Sequence, residues 1–105
     1  MTDNSKFATM IRFAKRARKI VYGYDALADA RGLKVLAVSD TASDNLKDKM
    51  QGLAKKRGLP LIRATALEDT AGGNCKALGV TDVGMAREMV KTAKDSDNTE
   101  VTYIG

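Results

Sequence analysis

A chain of 105 residues, 44% hydrophobic but only 5% aromatic and without Trp, is long enough for one domain whose small core is filled by Leu, Val, Ile, Met and Ala. It has no His and a single Cys, Cys75, which removes the commonest general base, the commonest metal ligand and any internal disulfide. The net charge of +5 is uneven: residues 1–64 carry 14 Lys/Arg against 6 Asp/Glu, and residues 65–105 carry 4 against 7, so the first two thirds are the part suited to a polyanion.

No apolar run approaches the length of a membrane span, and the first residues lack the apolar region of a signal peptide. With the lone Cys, this predicts a cytoplasmic protein with no membrane partner. No repeat, low-complexity tract or linker interrupts the chain, so a single domain over residues 1–105 is expected.

Asp3, Asn4 and Ser5 are N-cap candidates for a first helix in which Phe7, Met10, Ile11, Ala14 and Ala17 share one face. Lys15, Arg16, Arg18 and Lys19 close it as a cationic end that complements the helix dipole. Lys19 to Tyr22 reads as a very short strand. Gly23 then opens a second helix from about Tyr24 to Ala30, with Asp25 in its first turn and Gly32 as its stop. A glycine ahead of a helix start leaves backbone N–H groups that favour anions such as phosphate.

Leu33 to Val38 is a nearly continuous apolar run of strand length. Ser39 to Ser43 is turn and cap chemistry, and Asp40 and Asp44 read as capping acids. The helix from about Asp44 to Arg57 buries Leu46, Met50, Leu53 and Ala54; Gly58 ends it and Pro60 bars its continuation. Leu59 to Ile62 is another short strand. Thr65 and Glu68 have capping-box spacing, for a short helix broken by Gly72, Gly73 and Asn74. Lys76 to Thr81 is a strand, and Thr81-Asp82 caps a last helix with Val83, Ala86, Met89, Val90 and Ala93 on one face. Val101 to Ile104 closes the chain as an edge strand. Helices and strands alternating at these intervals predict an α/β fold, a three-layer α/β/α sandwich with a small mixed, mostly parallel sheet.

Nothing in this order marks an enzyme. No His is present to activate Ser39, Ser43 or Cys75, and Gly72-Gly73 is not followed by the Lys-Ser/Thr pair of a phosphate-binding loop. No metal-ligand spacing occurs, and no cofactor is expected. The residues favour RNA instead. Lys15, Arg16, Arg18 and Lys19 would hold phosphates and Gly23 would allow close backbone approach. Tyr24 and Asp25 would touch bases or sugar, and Gly72, Gly73, Asn74 and Lys76 would form a second wall. All of these are expected to converge at one end of the sandwich.

The segments KIVYGYDAL, RGLKVLAVSDTASDNLKDKM with KKRGLPLI following, and LGVTDVGMAREMV give the chain, over about residues 6–94, an order that resembles the ribosomal protein family of the L-seven-Ae / L-thirty-e type, especially its small bacterial members. The resemblance implies an α/β/α sandwich that binds kink-turn RNA, ribosomal RNA above all, in company with ribosomal or other proteins. The family's RNA-reading motif looks like a glycine followed by Asn and Glu, with a further polar or basic pair. Gly23 matches it. Asp25 stands at the Asn position, Ala26 at the Glu position and Asp29 where a Lys is usual. Asp is an acceptor only, and Ala26 offers no hydrogen bond. These departures leave a rival expectation open: a protein-interaction module on the same fold, its RNA site lost or altered.

Overall fold

A computed structural model describes residues 5–64, 67, 76–94 and 99–102. Their elements in chain order are α1 (Ser5–Arg16), β1 (Ile20–Tyr22), α2 (Tyr24–Asp29), β2 (Val35–Ser39), α3 (Asp44–Arg57), β3 (Leu61–Ala64), β4 (Ala77–Val80), α4 (Val83–Lys94) and β5 (Thr99–Thr102). The expected capping box at Thr65 and Glu68 and the Gly72, Gly73, Asn74 loop lie outside the described residues, as does Cys75.

The strands form one five-stranded sheet in the order β1-β4-β2-β3-β5. It is mixed, as expected, but antiparallel pairs predominate. Only β2 and β3 run parallel; β1–β4, β2–β4 and β3–β5 are all antiparallel. A mostly parallel sheet requires each crossover to return the chain to the same end. Here β4 re-enters from the end at which β3 leaves, and β5 does the same beside β3.

The period-two alternation of the strands sorts the core onto two faces. Val35 and Ala37 of β2, Ile62 of β3 and Leu78 and Val80 of β4 face Ile11 and Ala14 of α1 and Ala86 and Met89 of α4. Leu36 and Val38, Leu61 and Ala77 face Leu27 of α2 and Met50, Leu53 and Ala54 of α3. Helices therefore cover both sides, giving the expected three layers. Gly79 of β4 pairs with Leu36, and a Cβ built on it would lie 2.7 Å from Leu27 Cδ2 and 2.9 Å from Leu33 Cδ2. Its missing side chain is what lets α2 seat on the sheet.

The helix stripes hold in their centres and fail at their ends. Ile11, Ala14, Met50, Leu53, Ala54, Ala86 and Met89 are buried, whereas Ala17 is exposed and Val83 is 57% exposed. Of Phe7 and Ala93 only the helical backbone is described. Ser43, not Asp40, is the N-cap of α3, its Oγ accepting from the Leu46 N–H at 3.1 Å; Asp44 lies in the first turn, where its charge suits the dipole. Asp82 caps α4, its Oδ1 accepting from the Met85 N–H at 2.9 Å. Gly32 is not the stop of α2. That helix ends at Asp29, and its last carbonyls are taken by the Arg57 guanidinium, which donates to Ala28 O and Ala30 O at 2.6 and 2.5 Å. A side chain from the neighbouring helix has replaced the local glycine cap.

Candidate nucleic-acid interface

Lys19 and Gly23 flank β1, a strand of only three residues. An extended chain rises about 3.3 Å per residue, so four steps carry it roughly 13 Å. The hydrogen bonds show where each side of β1 lands. The Lys19 carbonyl accepts from the Thr81 N–H at 2.9 Å, beyond the last residue of β4. The Gly23 N–H donates to the Ala77 carbonyl at 3.0 Å, at the first residue of β4. The cationic helix end and the glycine turn thus lie at opposite ends of the sheet. The expectation that they converge is corrected: Lys15, Arg16, Arg18 and Lys19 form one group, and Gly23, Tyr24, Asp25 and Lys76 another.

At the glycine-turn end three chain segments meet. Gly23 has φ 86° and ψ 146°, a conformation essentially restricted to glycine, and no side chain caps α2. Lys76, exposed, precedes β4 and its carbonyl accepts from the Ser39 N–H at 2.8 Å. The exit of β2 completes the end: Ser39 is fully buried, its Oγ lies 3.0 Å from Thr41 Oγ1 and accepts from the Thr41 N–H, and the Asp40 N–H donates to the Ala64 carbonyl. Asp25 is exposed. Tyr24 is half-buried against the core beneath α2 and α3, with Lys49 Nζ 5.3 Å from its ring centroid. That ring position is a cation–π contact that fixes the start of α2, so Tyr24 braces the turn. Gly72, Gly73 and Asn74 lie outside the described residues. The sequence reading missed Lys49 and the Ser39–Thr41 exit, which carry no motif.

At the other end the chain collects cations. Helix α1 closes with a pair of bonds, Lys19 N–H to Ala14 O at 2.9 Å and Arg18 N–H to Lys15 O at 3.1 Å, and this closure puts Arg18 in the left-handed region at φ 60°. Arg16, Arg18 and Lys19 are exposed. Lys34, also exposed, begins the approach to β2 and its N–H donates to the Val80 carbonyl at 2.8 Å. Lys19 and Lys34 therefore bracket the end of β4, two strand spacings or roughly 10 Å apart. Lys34 and Arg87 in turn line one open groove, of about 310 Å³, whose apolar walls include Pro60, Val83 and Val90. Lys34 and Arg87 were not grouped with the basic helix end from sequence. One signal was available for Lys34: both it and Lys19 stand just before a strand, and β1 and β2 run in the same direction because each is antiparallel to β4.

Among the described residues there is no group of three or more side chains able to hold a metal ion, and no helix is long and apolar enough to cross a membrane. No protein-family model matches the chain, and no curated protein does. The fold itself is found elsewhere. The chain is similar to the solved structure of a protein of unknown function from Bacillus halodurans, with a TM-score of 0.77 at 20% identity, over 84% of this chain and 96% of that one. At that identity the likeness establishes the shared fold.

Proposed function

We propose that this chain is a non-enzymatic, cytoplasmic RNA-binding protein of the L-seven-Ae / L-thirty-e type, associated with ribosomal RNA, and that its glycine-turn end recognises a kink-turn-like element. The observation that carries the reading is the meeting of the β1–α2 turn, the β2 exit and the start of β4 at one end of the sheet. It sets the glycine-only backbone of Gly23 beside Asp25 and Lys76. Donors and acceptors there differ from a plain phosphate cradle. Lys76 and the bare backbone suit a phosphate, whereas the Asp25 carboxylate suits the amino edge of a base. A kink exposes both at once, because unstacked bases present their edges.

The test compares a kink-turn RNA with an unbent duplex of equal length at two salt concentrations. The wild-type protein should prefer the kink-turn, and Lys76→Glu should abolish that preference. Equal affinity for the two RNAs, or a preference indifferent to the Lys76 reversal, refutes the reading.

The exposed carboxylates Asp25 and Asp29, one near each end of α2, favour a second reading, a protein-interaction module with its RNA site altered. A pull-down with and without nuclease separates the two, since an association carried by protein survives removal of RNA.

A further inference from the structure

We infer that the end of the sheet opposite the glycine turn is a second, self-sufficient RNA surface, one that holds the phosphate backbone of a duplex without reading its bases. The inference rests on the RNA-binding reading above but concerns different residues. Three separate chain segments deliver its cations: Arg16, Arg18 and Lys19 from the close of α1 and the turn before β1, Lys34 from the residue before β2, and Arg87 from α4. The backbone bonds of Lys19 and Lys34 to the end of β4 fix the row, and the groove shared by Lys34 and Arg87 continues it.

Three physical points make this end suited to a polyanion backbone. The cations at the close of α1 more than offset the roughly half negative charge of its dipole, so the helix terminus does not repel phosphate. Asp82, which follows the Thr81 N–H bonded to the Lys19 carbonyl, is occupied in capping α4, and the exposed Glu88 beside Arg87 is the acid nearest the row in sequence. The third point concerns Arg18. It bears a side chain in a left-handed position where glycine would remove a strain of about 1 kcal/mol, so this position places a cation where backbone geometry favours its absence. The short polar group at its centre, the Thr81 hydroxyl, donates to the Lys19 carbonyl, and around it the row offers long, solvated cations. Groups of that kind fix phosphates and carry no sequence information.

A surface of this kind gives the chain two functionally distinct ends, one for shape and base edges, the other for backbone. The experiment uses the full chain and an unbent RNA duplex of about 20 base pairs, a length chosen as roughly two helical turns, at several salt concentrations. The kink-turn RNA is included as a separate arm. Duplex binding is expected with a steep salt dependence. Arg18→Glu with Lys34→Glu should lower duplex affinity by about tenfold or more and reduce the salt slope by about two, one for each lost phosphate contact. Arg18→Lys with Lys34→Arg should retain it, and matched circular dichroism should show all variants folded. Lys76→Glu, at the opposite end, should leave duplex binding unchanged. The inference is overturned by no duplex binding, by indifference to the double reversal, by equal loss in Lys76→Glu, or by polyglutamate competing as well as duplex, which would assign this end to acidic protein. Failure of the kink-turn preference alone leaves the duplex arm standing, so the two readings fail separately.

Discussion

Helices α1 and α3 end with the same backbone hydrogen bonds and serve opposite purposes. In α3, the Leu59 N–H reaches Ala54 O and the Gly58 N–H reaches Lys55 O, with Gly58 left-handed at φ 65°. In α1 the matching donors are Lys19 and Arg18, and the left-handed residue is Arg18. At the α3 end the residues on either side of the glycine are tied inward. Arg57 clamps α2, and Leu59 packs against the core. At the α1 end Ala17, Arg18 and Lys19 are all exposed. One closure is built for cohesion; the other trades a little backbone strain for displayed charge.

The inward-tied closure depends most on Arg57. Replacing it with Met removes two charge-assisted bonds and strands the last carbonyls of α2, so a loss of about 3 kcal/mol is expected, read as a lower denaturant midpoint. A smaller effect is expected from Gly58→Arg, which copies the α1 arrangement onto α3. With no atom within 4 Å of the added Cβ, only the left-handed backbone is penalised, at about 1 kcal/mol; a loss several times larger would show that the site is crowded after all. The smallest effect has the opposite sign. Arg18→Gly should stabilise the fold by about 0.5–1 kcal/mol, raising Tm by a few degrees, while weakening duplex RNA. A variant that is both more stable and a weaker binder separates the two purposes directly; stability and affinity moving together would contradict the contrast drawn here.

Much of the scaffold was legible because it is written locally. The stripe of Met50, Leu53 and Ala54, the stop at Gly58 and the cap at Asp82 each depend on residues within a turn or two of one another, and all stand as expected. Strand direction is different. It depends on which end of the sheet a connection returns to, and the alternation of helices and strands does not encode that; hence the expectation of a mostly parallel sheet. The grouping of site residues failed for a related reason. Lys19 and Gly23 are neighbours in sequence, but an extended strand between them converts that proximity into separation. Conversely, Lys34 and Arg87 are distant in sequence and share a groove. Arg57 closing α2 was invisible for the same cause, since its partners Ala28 and Ala30 lie far back in the chain.

Gly79 sets the spacing of the whole glycine-turn end. Leu27 rests directly over it, and α2 begins at the very residue that follows Gly23. The height of α2 above β4 is therefore gauged by a missing methyl group in the middle of the sheet. Any side chain at that position would act as a shim beneath the helix, tilting the turn that Gly23 opens, and would press as well on Leu33, the residue before Lys34. One glycine in the middle of the sheet thus bears on both ends of the molecule, through Leu27 on the helix that follows Gly23 and through Leu33 on the approach to β2.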